Sequence, residues 1–145
     1  MKYLKKYKLF ESKEDIIQTV KDILLPLSDL DYTISVTQNN IYRGDFNIDS
    51  LIGYQFIIRV VTYTDKPLVI TDEIKEDFIT MKDYLESEGF SSIEAHYVRG
   101  DAQVIREFDD FIKNAGINLP TSDYRGFDLN SYRNLLFTAK KIESE

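Results

Sequence analysis

The chain has 145 residues with 18 basic and 25 acidic side chains, so it carries a formal net charge of −7. This length favours a single domain, and a hydrophobic content of 43% excludes wholesale disorder. The absence of cysteine excludes a disulfide scaffold, a thiol enzyme and zinc sites that depend on cysteine.

Charge divides the chain into a basic N-terminal arm (residues 1–11), a single α+β domain (residues 12–139) and a polar tail (residues 140–145). The first eight residues carry +4, so the remainder carries −11. A body this acidic repels phosphate backbones, which predicts no binding to nucleic acid. No apolar stretch approaches the roughly 20 residues of a membrane span, and no secretory signal follows the N-terminal lysines. We therefore expect a cytoplasmic protein that does not bind membranes.

The first half of the chain predicts one helix followed by two strands. Apolar residues recur at helical spacing from Ser12 until Pro26, which should end the helix. Residues 32–38 alternate between apolar and polar side chains, which is typical of a half-buried strand. Residues 41–53 are rich in Asn, Asp and Gly and predict a long loop. Residues 54–63 are the most apolar strand, with apolar side chains on both faces, which favours a central position in a sheet.

The second half predicts three more helices and one strand. A helix should begin near Thr71 and end at Gly89 in a left-handed cap. A strand follows at residues 92–98. Asp101 and Asp128 are suitable N-caps for a third and a fourth helix, because apolar residues follow each of them at helical spacing.

These elements have the order α-β-β-α-β-α-α. They predict an α+β fold in which a three-stranded mixed sheet carries helices mainly on one face. Residues 54–63 are expected in the centre of the sheet, and the alternative places residues 32–38 there. The predicted core consists of Ile16, Val20, Ile23, Phe56, Ile58, Val60, Ile74, Phe78 and Leu85.

A search for catalytic residues finds no recognisable set. His96 is the only histidine, and no Ser-His-Asp pattern or glycine-rich phosphate loop is present. The oxygen-rich segment 45–49 resembles the start of a calcium loop, but Ser50 replaces the glycine that its turn needs and Phe56 replaces its glutamate. We therefore expect no catalytic residue, no metal and no cofactor, and a protein that is more plausibly not an enzyme.

Three Arg-Gly dipeptides are each preceded closely by a tyrosine and followed closely by an aspartate. Turn and helix-cap requirements explain the Gly and Asp residues, but they do not explain the arginine. If the three loops met, their arginines and tyrosines would form a patch that suits a carboxylate, a phosphate or a partner protein. The candidate ligand- or partner-binding residues are Tyr42, Arg43, Arg99, Tyr124 and Arg125.

The second strand also predicts an interaction face. If residues 54–63 are central, Ile57, Val61 and Tyr63 point away from the core and need cover. Either the last predicted helix, around residues 132–136, covers them, or a second copy of the chain does. We favour self-association into a homodimer over the helix.

The opening residues Met1-Lys2-Tyr3-Leu4-Lys5-Lys6-Tyr7-Lys8-Leu9-Phe10-Glu11-Ser12, with the segment Asp15-Ile16-Ile17-Gln18-Thr19-Val20-Lys21-Asp22-Ile23-Leu24-Leu25, resemble small uncharacterised proteins of marine and Bacteroidetes-type phages. The resemblance covers the first quarter of the chain and contains no functional motif. It implies a viral accessory or virion-associated protein.

The leading hypothesis is a non-enzymatic protein-interaction or accessory protein that binds a partner protein or itself. The alternative is a small-ligand or nucleotide-binding domain, possibly enzymatic, that uses the loop arginines Arg43, Arg99 and Arg125.

Overall fold

A computed structural model describes residues 13–42, 51–62, 68–99, 101–115 and 130–143. These residues form an α+β fold with helices on one side of a sheet. In chain order the elements are α1 (Lys13–Ile23), a 3₁₀ helix (Leu25–Leu30), β1 (Tyr32–Tyr42), β2 (Leu51–Thr62), β3 (Leu68–Val69), α2 (Asp72–Ser87), β4 (Ser91–Arg99), β5 (Ala102–Glu107), α3 (Phe108–Asn114) and β6 (Ser131–Ile142).

The sheet is antiparallel at every pair of neighbouring strands. Five strands lie in the order β1-β2-β6-β4-β5, and the short strand β3 pairs with the beginning of β6. Strands β2 and β4 are both antiparallel to β6, so they run parallel to each other on either side of it. The last strand of the chain is therefore the middle strand of the five.

The expected three-stranded mixed sheet is wrong, and the largest error is at β6. This segment was expected to be a helix because Tyr132 and Leu135 are three residues apart, and both are buried. A register irregularity opposite β4, next to Asn134 with φ of 54°, lets both side chains reach the same face of one strand. A β-bulge thus places residues three positions apart on one face of a strand, and the same spacing is found on one face of a helix.

The expected third helix is also wrong over its first half. Residues 102–107 form β5, which pairs with β4 from Arg99 and Ala102 onwards in a tight hairpin. Asp101 lies in the turn of this hairpin and does not cap a helix. Only Phe108–Asn114 is helical, and Phe108 and Phe111 are buried.

The predicted caps of α2 are confirmed. The Thr71 hydroxyl accepts a hydrogen bond from the Ile74 N–H at 3.3 Å. Gly89 has φ of 94°, and the Phe90 N–H donates to the Leu85 carbonyl at 3.0 Å, as in a Schellman motif.

The core lies between the helices and the inner face of the sheet, with Phe137 of β6 at its centre. The ring of Phe137 lies 4.8 Å from that of Phe78 in α2 and 5.7 Å from that of Phe111 in α3, measured between centroids. The predicted core is confirmed, with eight of its residues buried and Ile23 partly buried: Ile16, Val20, Phe56, Ile58, Val60, Ile74, Phe78 and Leu85 are the buried ones.

Neither predicted central strand occupies the middle of the sheet. Strand β2 has neighbours on both sides but lies one position from the centre, and β1 lies at an edge. The polar tail expected from residue 140 is a further correction, because β6 continues to Ile142, which pairs with Gly53. The Lys141 ammonium lies 5.8 Å from the centre of the Phe90 ring, so this lysine packs against the fold. In the described part of the chain, no helix has the length and hydropathy needed to cross a bilayer.

Candidate interaction surface

The sheet has an open face, on which none of the helices described by the structure packs. Side chains alternate between the two faces of a strand, and the inner positions of β2 and β6 are those of Ile58 and Phe137. Paired residues share a face. The open face therefore contains residues of all five strands: Thr33, Ser35, Thr37 and Asn39 of β1, Gln55, Ile57, Arg59 and Val61 of β2, Arg133, Leu136, Thr138 and Lys140 of β6, Glu94, His96 and Val98 of β4, and Gln103, Ile105 and Glu107 of β5.

Apolar side chains on the open face are accessible to solvent. Val61 is 41% exposed and Ile105 is 57% exposed. Ile57, Leu136 and Val98 are half-buried between their neighbours on the face. Ile57 and Val61, which the sequence predicts on a back face, lie on this open face, and the face extends over the four other strands of the sheet.

The charges of the open face are separated by sign. We call the β2 and β6 side the basic half, because its charged residues are Arg59, Lys140 and Arg133, the last of which pairs with Val98. We call the β4 and β5 side the acidic half, because its charged residues are Glu94 and Glu107, which lie directly opposite each other. Like charges at such a pair destabilise a free sheet, so an external cation near this half would relieve the repulsion.

His96 lies in the acidic half between Leu136 and Ile105. Its Nε2 atom is buried and has no hydrogen-bond partner, and the nearest Glu94 carboxylate oxygen is 3.8 Å away. That distance is too long for a hydrogen bond. In the described residues no group of three or more metal-ligating side chains is found around this histidine or elsewhere.

A cleft of about 370 Å³ lies where α2, the start of β4 and the start of α3 meet. The Lys82 ammonium lies 3.1 Å from an Asp109 carboxylate oxygen and 3.2 Å from one of Glu86. The hydrogen bonds that the Lys82 ammonium donates to Asp109 and then to Glu86 raise the pKa of Lys82. This cleft therefore holds an ion-pair network on an exposed surface, where such pairs contribute little to stability.

A second cavity of about 280 Å³ lies at one end of the open face. It forms where β2 continues beyond Arg59, the last residue that it pairs with β6, and the bulge residue Asn134 lines its other side. The cavity adds a concave end to an otherwise flat face.

The structure does not bring Tyr42 and Arg99 together. Strand β1 ends at Tyr42 near the end of β6 that contains Ile142, whereas β4 ends at Arg99 near the beginning of β6. At about 3.3 Å per residue the two positions are roughly 30 Å apart along the strands. The Arg99 guanidinium lies 5.0 Å from the centre of the Tyr132 ring, so it packs against the fold.

The other residues of the predicted loop patch, Arg43, Tyr124 and Arg125, lie outside the described residues, as does Tyr63 of the predicted face. The expectation that a last helix covers Ile57 and Val61 is wrong, because that segment is the strand β6. Sequence reasoning missed the part of the face that β5 and β6 contribute. The segment Ala102–Glu107 does not alternate between apolar and polar residues, so no local signal marks β5 as a strand.

Comparison of the chain with protein-family models, with curated proteins and with solved structures finds no match. The resemblance of the N-terminal quarter to phage proteins stays a prediction.

Proposed function

We propose that this is a non-enzymatic interaction protein and that its open face binds the surface of another protein molecule. The observation that carries the proposal is the exposure of Val61 and Ile105 on a broad face that no described helix covers. Apolar side chains that a fold leaves exposed on one broad face are typical of an interaction site.

The composition of the open face supports a reversible interface. Its apolar side chains are interspersed with Thr, Ser, Asn and Gln and with charges of both signs. Non-obligate interfaces have this mixed character, whereas obligate dimer interfaces are more apolar. The proposal accordingly describes a folded protein that exchanges partners.

The alternative, a ligand-binding domain built on the loop arginines, is less well supported. Such a site requires the loops at Tyr42 and Arg99 to meet at one end of the sheet, but these two residues lie at opposite ends. The proposal retains the sequence-based expectations of a cytoplasmic protein that binds no nucleic acid, which rest on the missing cysteine and the net charge of −7.

Affinity capture with matched baits tests the proposal. The baits are the wild-type chain, Val61→Lys on the open face, and Ile79→Lys on α2 as a control for adding a lysine at an exposed apolar position. We expect a protein, either the untagged chain or another one, to be captured by wild type and by Ile79→Lys but lost with Val61→Lys. Identical capture by all three baits would contradict a role for the open face.

A further inference from the structure

The distribution of charge on the open face identifies the kind of partner that fits it. In the described residues, the basic half has Arg59, Lys140 and Arg133 without an acidic residue, and the acidic half has Glu94 and Glu107 without a basic one. Strand β1 contains no charged residue at all. A partner must therefore present negative charge over β2 and β6 and positive charge over β4 and β5.

We propose that this partner is a second copy of the chain, bound open face to open face about a two-fold axis that runs along the strands between β6 and β4. This rests on the proposed function, because it requires the open face to be an interface. It adds the identity of the partner and the geometry of the contact.

The proposed axis follows from the register of the sheet. Rotation by 180° about it places β6 of one copy over β4 of the other, and β2 over β5. Lys140 then lies one open-face position, about 7 Å along the strand, from Glu94 of the second copy, and Arg59 lies the same distance from Glu107 of the second copy, close enough for opposite charges to attract. Each contact occurs twice, so four basic and four acidic side chains are matched, whereas Arg133 lies over Val98 of the second copy. Leu136 of one copy lies over His96 of the other.

Charge also excludes the other simple arrangement. A two-fold axis in the plane of the face but perpendicular to the strands would place β2 over β2 and β4 over β4. The basic halves would then face each other, as would the acidic halves, and like charges in an interface cost several kcal/mol. The axis along the strands gives the aligned packing that is usual for two sheets, in which strands cross at about −30°.

The size of the open face is adequate for this contact. Rotation about this axis overlaps β2, β6, β4 and β5 of the two copies and leaves β1 outside the contact. Four strands spaced about 4.8 Å apart, over about eight residues of length, give roughly 500 Å² for each copy. A standard interface buries about 800 Å² for each partner, and the accessible area of a corrugated surface exceeds its projected area. The two copies would thus form a reversible dimer with an interface at the small end of the usual range.

Charge exchange between Lys140 and Glu94 tests the geometry. Sedimentation or light scattering at rising concentration would measure the dimer dissociation constant of the wild type, of Lys140→Glu, of Glu94→Lys and of the double variant. Each single variant places like charges together at both symmetric contacts, so we expect it to weaken the dimer at least about tenfold. The double variant restores opposite charges and should recover wild-type dimerisation, as should an equimolar mixture of the two single variants.

Three results would overturn the inference. They are a wild type that stays monomeric at about 100 µM, a dimer that the single variants leave unchanged, and a double variant weaker than either single variant. The capture experiment with Val61→Lys distinguishes the cases. One outcome is that the wild-type bait captures a protein other than this chain that the Val61→Lys bait does not capture. In that case the open face remains an interface, and only the identity of the partner is wrong. Melting curves of all variants show whether each one is folded.

Discussion

Gly53 and Gly89 both lie next to Lys141, but for different physical reasons. A Cβ atom at Gly53 would lie 2.1 Å from the Lys141 carbonyl oxygen, which belongs to the backbone of the central strand and cannot move aside alone. A Cβ atom at Gly89 would lie 3.3 Å from the flexible end of the Lys141 side chain. The cost at Gly89 comes instead from its positive φ.

We therefore expect Gly53→Ala to destabilise the protein more than Gly89→Ala. The first substitution overpacks a β2–β6 contact, which costs about 1–3 kcal/mol or more, and the second costs about 1 kcal/mol of helix-cap strain. Chemical denaturation of both variants measures the difference in the free energy of unfolding. Equal losses, or a larger loss at Gly89, would show that β2 and β6 do not approach each other this closely at Gly53.

Tyr54 is a second residue whose environment has a measurable consequence. Burial, followed by the charges of Glu143 and Glu88, raises the pKa of its phenol to about 12. Because the folded-state pKa lies above the ordinary value of about 10, the folded state favours the protonated phenol. The stabilisation that the protonated phenol gives to the folded state is fully present below about pH 10 and is lost as the pH rises towards about 12.

Tyr54→Phe should accordingly make the free energy of unfolding fall less steeply between about pH 10 and pH 12. The comparison with wild type is needed because burial also raises the pKa of Tyr32, Tyr97 and Tyr132. Identical slopes for the variant and the wild type over this range would contradict the buried placement of Tyr54.

At the scale of elements, β2 provides a test of the two faces of the sheet. Ile58 is fully buried beneath the helices, whereas its neighbour Ile57 points to the open face. Ile58→Asp would bury an unpaired charge, which costs several kcal/mol of the roughly 5–15 kcal/mol available.

We expect Ile58→Asp to abolish cooperative unfolding and Ile57→Asp to retain it. Circular dichroism melting curves of the two variants provide the measurement. A cooperatively melting Ile58→Asp variant would mean that β2 does not support the core, and an unfolded Ile57→Asp variant would mean that the open face is buried within one molecule.

The elements that the sequence predicted correctly are those whose signals are local. Helix α2 has a capping threonine, apolar residues at helical spacing and a glycine with positive φ, and all of these lie within one segment. The order of strands was not predictable in the same way. The place of β6 in the middle of the sheet depends on pairings with β2 and β4, which are distant in the chain. In addition, the bulge at Asn134 interrupts the alternation of inner and outer residues along β6, so the segment lacks the sequence pattern of a regular strand.

The candidate surface could be predicted only in part, for the same reason. Ile57 and Val61 follow from alternation within one strong strand. Arg59 and Lys140 form one half of a charge pattern only because β2 and β6 are neighbours, and Glu94 faces Glu107 only because residues 102–107 are a strand. An interface built from four strands becomes visible when their order is known.

At the scale of the whole molecule, net charge predicts a property that needs no knowledge of the fold. Outside the first eight residues the chain carries −11. At about 150 mM salt we expect no tight binding to duplex DNA, because neither counterion release nor long-range attraction favours it. Fluorescence anisotropy with the full chain and with a chain lacking residues 1–8 provides the measurement. Submicromolar binding by the shortened chain at this salt concentration would contradict the prediction.

The central claim is that a second copy of the chain covers the open face, and the absence of cysteine allows a direct measurement. Ile105→Cys places a single thiol on the open face, and Ile79→Cys places one on the outer side of α2. We expect the rate of alkylation at position 105 to fall as the protein concentration rises, because the dimer buries that side chain, while the rate at position 79 stays constant. Equal rates at position 105 at every concentration would show that the open face stays in contact with solvent and would contradict the claim.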